Sequence, residues 1–356
     1  MATMRDVALK AGVSYTTVSY VLNNRPAPRG IRDSVRIRVI RAAAELDYQP
    51  NSLARAVVTG NSRVLGFLAF DQESPKSTEF IARIQSGMSE HAGFLGYSVK
   101  VFHAGDGQPL SDIVEQCLAW RSVGLVTVSL WHGTLSGLVN ALGTHSIPLA
   151  AVEAGPEVHV DINVRTDDAK GMQLAFQHLA SLGHRRIGYL SADPSQELSN
   201  RRLEVLRAAR IMAGFDDSDD LAAWGDWWDI EKNTAAVCQL LDRPPGRRPT
   251  ALICSGDPPA LVALKVARRL GLSVPGDLSV VGFGDYSMAT YADPALTTIA
   301  VPFEEMGRSA ARKLIALAED RGDSTASAVV HADEAFEPSL VVRDSTSRPP
   351  GATAEG

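Results

Sequence analysis

The sequence predicts a small all-α head with a helix-turn-helix, followed by an α/β core of two lobes, each a doubly wound parallel sheet. Three observations support this fold class. The first 50 residues carry apolar side chains at helical spacing, interrupted by a tight glycine turn. From residue 63 onward, short apolar runs alternate with helical stretches. At 356 residues, the chain also exceeds the length that one hydrophobic core usually serves.

The composition is typical of a soluble globular protein, with 45% hydrophobic and 21% charged residues. No apolar run approaches the ~20 residues that span a bilayer, and the first residues, MATMRDVALKAGVS, lack the apolar region of a signal peptide. We therefore expect a cytoplasmic protein. Cys117, Cys238 and Cys254 lie far apart without a CxxC pair, so neither a disulfide framework nor a metal site nor a cofactor is expected.

The charge of the chain is divided unevenly. Residues 1–63 hold ten Lys/Arg and four Asp/Glu, a surplus of six positive charges, which leaves −12 for the other 293 residues because the net charge is −6. A basic module on an acidic body predicts a polyanionic partner that the head alone contacts. Solvated surface arginines are the alternative explanation.

The head carries the start and stop signals of two short helices. Thr3, with Asp6 three residues later, resembles a capping box, and Gly12 can adopt the left-handed conformation that ends the first helix. Ser14 can cap a second helix over residues 15–22. Two such helices joined by a glycine turn predict a helix-turn-helix. The expected core of the head is Val7, Ala8, Ala11, Val13, Val18, Val21, Leu22, Val35, Val39, Ala42, Ala43 and Leu46.

The predicted second helix exposes side chains that suit the major groove, where base edges are accessible. These side chains can hydrogen-bond or make apolar contacts, and none is acidic: Tyr15, Thr16, Ser19 and Tyr20. A third helix over residues 33–46 provides arginines for phosphates: Arg32, Arg36, Arg38 and Arg41.

Two segments together resemble the head and hinge of the lactose-repressor (LacI/GalR) family. They are DVALKAGVSYTTVSYVLN (6–23) and AAAELDYQPNSLARAVVTGNSRVLGF (42–67), and the resemblance covers almost the whole chain. It implies a homodimeric, sequence-specific transcriptional regulator, in most members a repressor, on palindromic double-stranded operator DNA. It also implies that the hinge orders on DNA and enters the minor groove, where an apolar side chain wedges between base pairs.

The resemblance assigns roles by position. Tyr15, Thr16 and Tyr20 would contact bases, Asn51 would begin the hinge, and Val57 would be the wedge. The full set expected at the DNA is Thr3, Ser14, Tyr15, Thr16, Thr17, Ser19, Tyr20, Asn23, Arg36, Asn51, Ala54, Arg55 and Val57.

Three departures from the family pattern mean that the operator sequence cannot be borrowed from a relative. Tyr20 stands where the family commonly has an arginine, and Val57 replaces the usual leucine. The segment NNRPAPRGIR (23–32) is longer than usual and replaces the usual valine-serine start of the third helix with Ile31 and Arg32.

The alternation in the core predicts parallel sheets with crossover helices. Strands are expected at 64–70, 97–103, 123–130, 147–152, 186–191, 250–255, 278–283 and 297–301. Helices are expected at 79–95, 110–121, 168–182, 201–213, 258–270 and 303–319. Two such sheets with a cleft between them resemble the core of type I periplasmic binding proteins.

The predicted domains follow from these patterns. They are a head over 1–50, a hinge over 51–62, a bilobed effector-binding and dimerisation core over 63–344, and a disordered tail over 345–356. The first lobe is assigned to 63–164 and 295–323, and the second to 165–294 and 324–344. The tail is rich in Pro, Gly and Ser and lacks heptads, so a dimer is expected rather than a tetramer.

Ligands of open α/β sheets bind at the carboxyl ends of strands, and the resemblance supplies candidates there. Arg202 matches an arginine of the family pattern, Trp227 a tryptophan that stacks on a sugar ring, and Asp257 an acid. The full candidate set is Asp71, Glu153, Arg202, Trp227, Asp257 and Asp285. Packing for Trp227, a helix cap for Asp257 and a salt bridge for Arg202 are the alternatives.

Two polar anchors of the family pattern are replaced by glycine, at Gly256 and Gly284. A monosaccharide copied from a relative is therefore doubtful. A larger ligand that uses the vacated space, or a degenerate cleft without a ligand, are the hypotheses that remain.

Other function classes fit less well. A periplasmic solute-binding protein would need a signal peptide and would lack the basic head. An enzyme is not expected, because no GxSxG, P-loop or strand-linked GxGxxG motif is present. The sequence thus predicts a regulator, most often a repressor in this family, whose operator affinity a sugar-like or related effector modulates. Whether the effector releases DNA or acts as a corepressor stays open.

Overall fold

The computed structural model describes residues 2–22, 30–48, 62–70, 78–104, 108–128, 132–154, 159–192, 197–323 and 332–351. Its contacts divide the chain into two compact units, Met1–Ser62 and Arg63–Gly356. This division coincides with the junction that the sequence predicts between hinge and core.

Three helices form the described part of the head: α1 Met4–Ala11, α2 Tyr15–Leu22 and α3 Asp33–Glu45. The capping box of α1 is present, since Thr3 N donates to Asp6 Oδ2 at 2.8 Å and Asp6 N donates to Thr3 Oγ1 at 3.3 Å. Gly12 ends α1 with a left-handed φ of 63°. The same chemistry begins α2, because Thr17 N donates to Ser14 Oγ at 3.1 Å.

A small apolar core holds these helices together. Val7, Val18 and Val39, one from each helix, are fully buried. Val35 and Leu46, which the sequence places in this core, are only half-buried. The reason is their position, since Val35 lies in the first turn of α3 and Leu46 follows its last residue.

The core unit alternates strands and helices. Its described strands are β1 Val64–Phe70, β2 Ser98–Ala104, β3 Gly124–Val128, β4 Leu149–Val152, β5 Ile162–Thr166, β6 Ile187–Ser191, β7 Ala222–Trp224, β8 Ala251–Cys254, β9 Ser279–Gly284, β10 Thr297–Ala300, β11 Ala332–Phe336 and β12 Ser339–Val341. Its described helices are α4 Thr78–Phe94, α5 Leu110–Ala119, α6 His132–Gly143, α7 Asp168–Ser181, α8 Glu197–Met212, α9 Ile230–Leu241, α10 Asp257–Arg269, α11 Ser287–Tyr291 and α12 Phe303–Asp323.

Two six-stranded sheets are formed, one for each lobe. The first has the order β11-β5-β4-β3-β1-β2 and the second the order β12-β10-β9-β8-β6-β7. The pairs are parallel except for β10 with β12. Every residue of β3, β4, β6, β8 and β9 is buried. Helices on both faces of a parallel sheet explain why these strands are continuous apolar runs rather than alternating ones.

The lobe boundaries near the C-terminus differ from the predicted ones. Strand β10 (297–300) pairs with β9 in the second sheet, whereas the sequence assigns it to the first lobe. The chain returns to the first lobe with α12, which packs so closely on α4 that a Cβ on Gly87 or Gly307 would meet the backbone of the facing helix. Strand β11 pairs with β5 in the first sheet, although 324–344 is assigned to the second lobe. Alternation along the chain does not reveal which of the two sheets a strand joins.

The tail prediction was also wrong for residues 345–351. Ser345 is fully buried, and its Oγ donates to the carbonyl of Val280 at 2.6 Å and accepts from Thr297 N at 2.8 Å. His184 Nε2 lies 2.9 Å from the carbonyl oxygen of Ser347. These hydroxyl and carbonyl groups satisfy buried polar atoms of the second lobe, which is the physical reason that this Ser-rich segment is ordered. Residues 352–356 lie outside the described residues.

Within the described part of the chain, no group of three or more His, Cys, Asp and Glu could hold a metal ion. No helix there is long and apolar enough to cross a membrane.

Candidate functional site

Helix α2 carries four of the residues expected at base edges. Tyr15 is 49% exposed and Thr16 is exposed, while Ser19 and Tyr20 are half-buried. Each has a polar group suited to hydrogen bonds with base edges or phosphates. These side chains lie on the helix that the sequence predicts to contact bases, and their DNA contacts stay a prediction.

Three of the expected DNA residues also have a structural task. Thr3 caps α1, and the hydroxyl oxygens of Ser14 and Thr17 lie 2.9 Å apart at the start of α2. Capping directs these hydroxyls at the helix ends rather than at a partner. Arg36 is half-buried on α3. Asn23, Asn51, Ala54, Arg55 and Val57 lie outside the described residues, so their roles stay predictions.

Not every arginine of α3 is left for phosphates. Arg41 Nε lies 2.9 Å from Glu45 Oε1, and Lys10 Nζ lies 2.9 Å from Glu45 Oε2. These two cations lower the pKa of Glu45 through hydrogen bonds and charge. Arg41, which the sequence offers to DNA, is thus paired within the head.

A partly open cavity lies between the two lobes of the core. Both lobes contribute to its wall, at the carboxyl ends of their strands. Its lining residues are Phe80, Glu153, Thr166, Leu198, Arg202, Trp227, Trp228, Ser255, Phe283, Gly284, Tyr286, Val301 and Phe303. Three of the six predicted ligand residues, Glu153, Arg202 and Trp227, are among them.

Six of the thirteen lining residues carry aromatic rings. Trp228 stacks on Tyr286 with ring centroids 6.4 Å apart, and Tyr286 stacks on Phe303 at 6.0 Å, each pair within 20° of parallel. Phe80 of α4 approaches Phe303 at 5.7 Å. This row of rings joins the two lobes across the cavity, since Phe80 and Phe303 belong to first-lobe helices.

The loop that carries the two tryptophans is held by its own hydrogen bonds. Asp226 Oδ1 accepts from Trp228 N at 2.9 Å and from Asp229 N at 3.1 Å. Asp226 N donates to Oδ1 of the buried Asn233 at 3.0 Å. These bonds hold the backbone from which the two tryptophans project.

Arg202 is the central buried charge of the cavity wall, with 5% of its surface exposed. Its Nε donates to Asp168 Oδ1 at 2.8 Å, and its Nη1 donates to the carbonyl of Ser255 at 2.7 Å. The guanidinium also lies 3.7 Å from the ring centroid of Phe283. Arg202 therefore has the salt-bridge role that the sequence leaves as an alternative, while still facing the cavity.

Glu153 follows β4 with a left-handed backbone, φ 63°, which is uncommon for a residue other than glycine. Its Oε1 accepts hydrogen bonds from the backbone and the hydroxyl of Thr166. Burial raises the pKa of Glu153 to about 7, and the nearby charge of Asp168 acts in the same direction. The carboxyl group can therefore donate or accept a hydrogen bond near neutral pH.

Asp257 does not line this cavity, contrary to the predicted ligand role. It is fully buried at the start of α10, where Oδ1 accepts from Thr298 Oγ1 at 2.5 Å and Oδ2 accepts from Tyr286 N at 2.7 Å. Burial raises the pKa of Asp257 to about 6. The carboxylate therefore holds the backbone of the cavity residue Tyr286 in place.

Asp285 also lies off the cavity wall. Its Oδ1 accepts from Arg343 Nη2 at 2.7 Å, and its carbonyl accepts from Arg83 Nη1 at 3.2 Å. Its carboxylate is thus paired with Arg343, and its contact with a ligand stays a prediction. Asp71 lies outside the described residues.

The two glycines that replace polar anchors lie beneath aromatic rings. A Cβ at Gly256 would lie 3.3 Å from the ring of Trp227, and a Cβ at Gly284 would lie 3.1 Å from the ring of Tyr286. Gly284 also has a φ of 124°, which side-chain-bearing residues rarely adopt. The space expected to be vacant is therefore occupied by these rings.

Both the head and the core of this chain match known protein families. Residues 3–51 match the model of bacterial regulatory proteins of the lacI family, and residues 176–346 match a periplasmic binding protein-like domain. The chain is 30% identical to the HTH-type transcriptional repressor PurR of Proteus mirabilis, over 98% of each chain. It is 31% identical to the HTH-type transcriptional regulator GalR of Escherichia coli, over 98% of this chain and 97% of GalR. The chain belongs to the LacI family.

Solved structures of LacI-family members agree with the fold. A lac repressor dimer bound to operator and the anti-inducer ONPF superposes with a TM-score of 0.77 at 25% identity, covering 97% of this chain and 99% of that one. A complex of the regulator CelR with cellobiose superposes with a TM-score of 0.70 at 27% identity, covering 97% and 100%. The predicted family and fold class are confirmed, and the chain is a DNA-binding transcriptional regulator.

Sequence reasoning missed much of the cavity wall. The missed residues are Phe80, Thr166, Leu198, Trp228, Ser255, Phe283, Tyr286, Val301 and Phe303. Several follow the carboxyl end of a strand, as Tyr286 follows β9 and Phe303 follows β10. That position was the available signal, since ligands of such sheets bind there.

Proposed function

We propose that this LacI-family chain is a repressor that binds palindromic operator DNA as a homodimer, and that a small molecule in the cavity between its lobes sets its operator affinity. The names of the relatives support this, because PurR is a repressor, the lac repressor structure is a dimer on its operator, and CelR binds cellobiose. A cytoplasmic location and the absence of catalysis belong to the same proposal.

The cavity is the observation that carries the proposal. Its wall combines Phe80 and Phe303 from the first lobe with Trp228 and Tyr286 from the second. A ligand that touches both lobes binds one arrangement of them more tightly than another. That difference in affinity is the free energy by which a bound effector can alter DNA binding.

DNA recognition is tested by selecting binding sites for the full-length protein from random DNA. The variant Tyr15→Ala should weaken binding to the selected site by roughly tenfold or more, because a lost base contact costs about 1–3 kcal/mol. Binding to random DNA should change little. Tyr291→Ala is the matched control, since Tyr291 is 86% exposed and lies in the core unit. Equal effects of the two variants on the selected site would contradict the assignment of α2.

Effector binding is tested by screening sugars, nucleosides and small aromatic compounds for a thermal shift. A ligand at 100 times its Kd stabilises the folded state by about 2.7 kcal/mol. Trp227→Ala should abolish the shift, whereas Trp224→Ala should retain it, because Trp224 is a partly exposed tryptophan that does not line the cavity. The direction in which the ligand changes operator affinity then distinguishes an inducer from a corepressor.

A regulator with a degenerate cavity is the second candidate. The rings over Gly256 and Gly284 favour it, because they fill positions at which the family pattern has polar side chains. In that case no compound changes operator affinity, and Trp227→Ala and Trp224→Ala behave alike.

A further inference from the structure

The cavity offers few polar groups that a ligand could use. Its non-aromatic polar side chains are Glu153, Thr166, Arg202 and Ser255. Thr166 donates its hydroxyl to Glu153, and Arg202 is bonded to Asp168 and to the carbonyl of Ser255. Much of the polar capacity of these four side chains is thus already used within the protein.

The hydroxyl of Ser255 is the exception. Ser255 is 1% exposed, and its Oγ has no hydrogen-bond partner among the described residues. An unpaired buried hydroxyl costs free energy until something bonds to it. Ser255 lines the cavity, so a ligand can supply that partner.

Flat apolar surface, in contrast, is abundant. Six of the lining residues carry aromatic rings: Phe80, Trp227, Trp228, Phe283, Tyr286 and Phe303. Leu198 and Val301 add aliphatic surface. Aromatic rings bury a large area and favour ring partners in stacked or edge-to-face geometry.

A side chain at either glycine would crowd an aromatic ring of the wall. Any side chain at Gly256 would press on the ring of Trp227, and any at Gly284 on the ring of Tyr286, in a backbone conformation that already disfavours side chains. The glycines therefore leave the space in which these two rings pack. A pyranose, which has hydroxyls around its whole rim, would leave several of them without partners here.

We propose that this cavity binds a molecule whose main contact group is an aromatic ring with one hydrogen-bonding edge, which meets Ser255 and Glu153, and not a free monosaccharide. The inference rests on the proposed function, because it concerns the same effector cavity. It names the chemical class of the ligand, which membership of the family does not specify.

Three small probes test it on the full-length protein by tryptophan fluorescence and ligand-observed NMR. Benzamide has a flat ring and an amide edge, cyclohexanecarboxamide has the same amide on a puckered ring of similar size, and glucose has hydroxyls without a ring face of this kind. We expect benzamide to bind at least tenfold more tightly than either of the others. Ser255→Ala should weaken benzamide several-fold, and Trp224→Ala should leave it unchanged.

The results that would overturn this inference differ from those that would overturn the proposed function. Equal binding of benzamide and cyclohexanecarboxamide, or no binding of benzamide, overturns the aromatic class. Tighter binding of glucose overturns it too, and if Trp227→Ala then abolishes glucose binding, the effector site stands while its ligand class falls. The proposed function itself fails only if no compound in the wider screen changes operator affinity.

Discussion

Replacing Arg202 by alanine should destabilise the core unit far more than a change at a ligand contact would. Arg202 is buried, and its Nη2 lies 2.7 Å from Asp168 Oδ1. The truncation leaves the buried carboxylate of Asp168 and the carbonyl of Ser255 without their main partner. Breaking one side of a buried pair costs about 3–5 kcal/mol. At about 2–4 °C per kcal/mol for domains of this size, the melting temperature should fall by roughly 10 °C.

Arg201→Ala is the matched control for this variant. Arg201 is the neighbouring arginine, lies 3.4 Å from the other oxygen of Asp168, and has 31% of its side chain exposed. Solvent screens that contact, so its loss should cost under about 1 kcal/mol. Both variants are compared with the parent protein by urea unfolding at pH 7. If Arg202→Ala is no more costly than Arg201→Ala, the buried pair does not stabilise the fold, and Arg202 is a ligand residue alone.

Three further predictions concern residues at or near the cavity. The pKa of Asp257 is raised to about 6, so the protonated carboxyl stabilises the fold below the pKa of an unfolded aspartate, and this contribution disappears as pH rises through 6. Asp257→Asn should remove this loss of stability, on the order of 2–3 kcal/mol between pH 4 and 6. The measurement is the melting temperature against pH. Gly284→Ala should lower the melting temperature more than Gly256→Ala, since only Gly284 combines a close ring with a positive φ. Glu79→Gln should weaken the bonds to Ser287 N, at 2.9 and 3.1 Å, and change effector affinity a few-fold in titrations, while an unchanged affinity would assign Glu79 to the surface.

The strands that the sequence predicts well are those buried on both faces. The run VLGFLAF became β1 and LSVVGF became most of β9, because helices cover a parallel sheet from both sides. The missed strands have a different chemistry. Strand β11, ADEAF, is a half-exposed edge strand whose Asp333 pairs with Arg165 at 3.1 Å. Such a strand is held by neighbours distant in sequence, which local periodicity does not contain.

The candidate site was predictable where a single residue follows a family motif, and not where rings meet from several elements. Arg202, Trp227 and Glu153 were found in this way, and all three line the cavity. Tyr286 and Phe303 were not, because their proximity depends on the chain passing from β9 through β10 to α12. The same folding path turned the carboxylate of Asp257 toward the backbone of residue 286, which no spacing in the sequence indicates.

Residues 285–287 link the cavity to the contact between lobes. The ring of Tyr286 lies in the cavity wall, while the residues on either side of it are held by α4 of the first lobe. Arg83 donates to the carbonyl of Asp285, and Glu79 accepts from the backbone and hydroxyl of Ser287. The backbone on either side of Tyr286 is therefore held by the opposite lobe, and a ligand that moves this backbone strains those hydrogen bonds. Because these hydrogen bonds join the cavity loop to α4, a ligand that alters them also changes the free energy of the lobe arrangement. Coupling between an effector and DNA binding requires such a link.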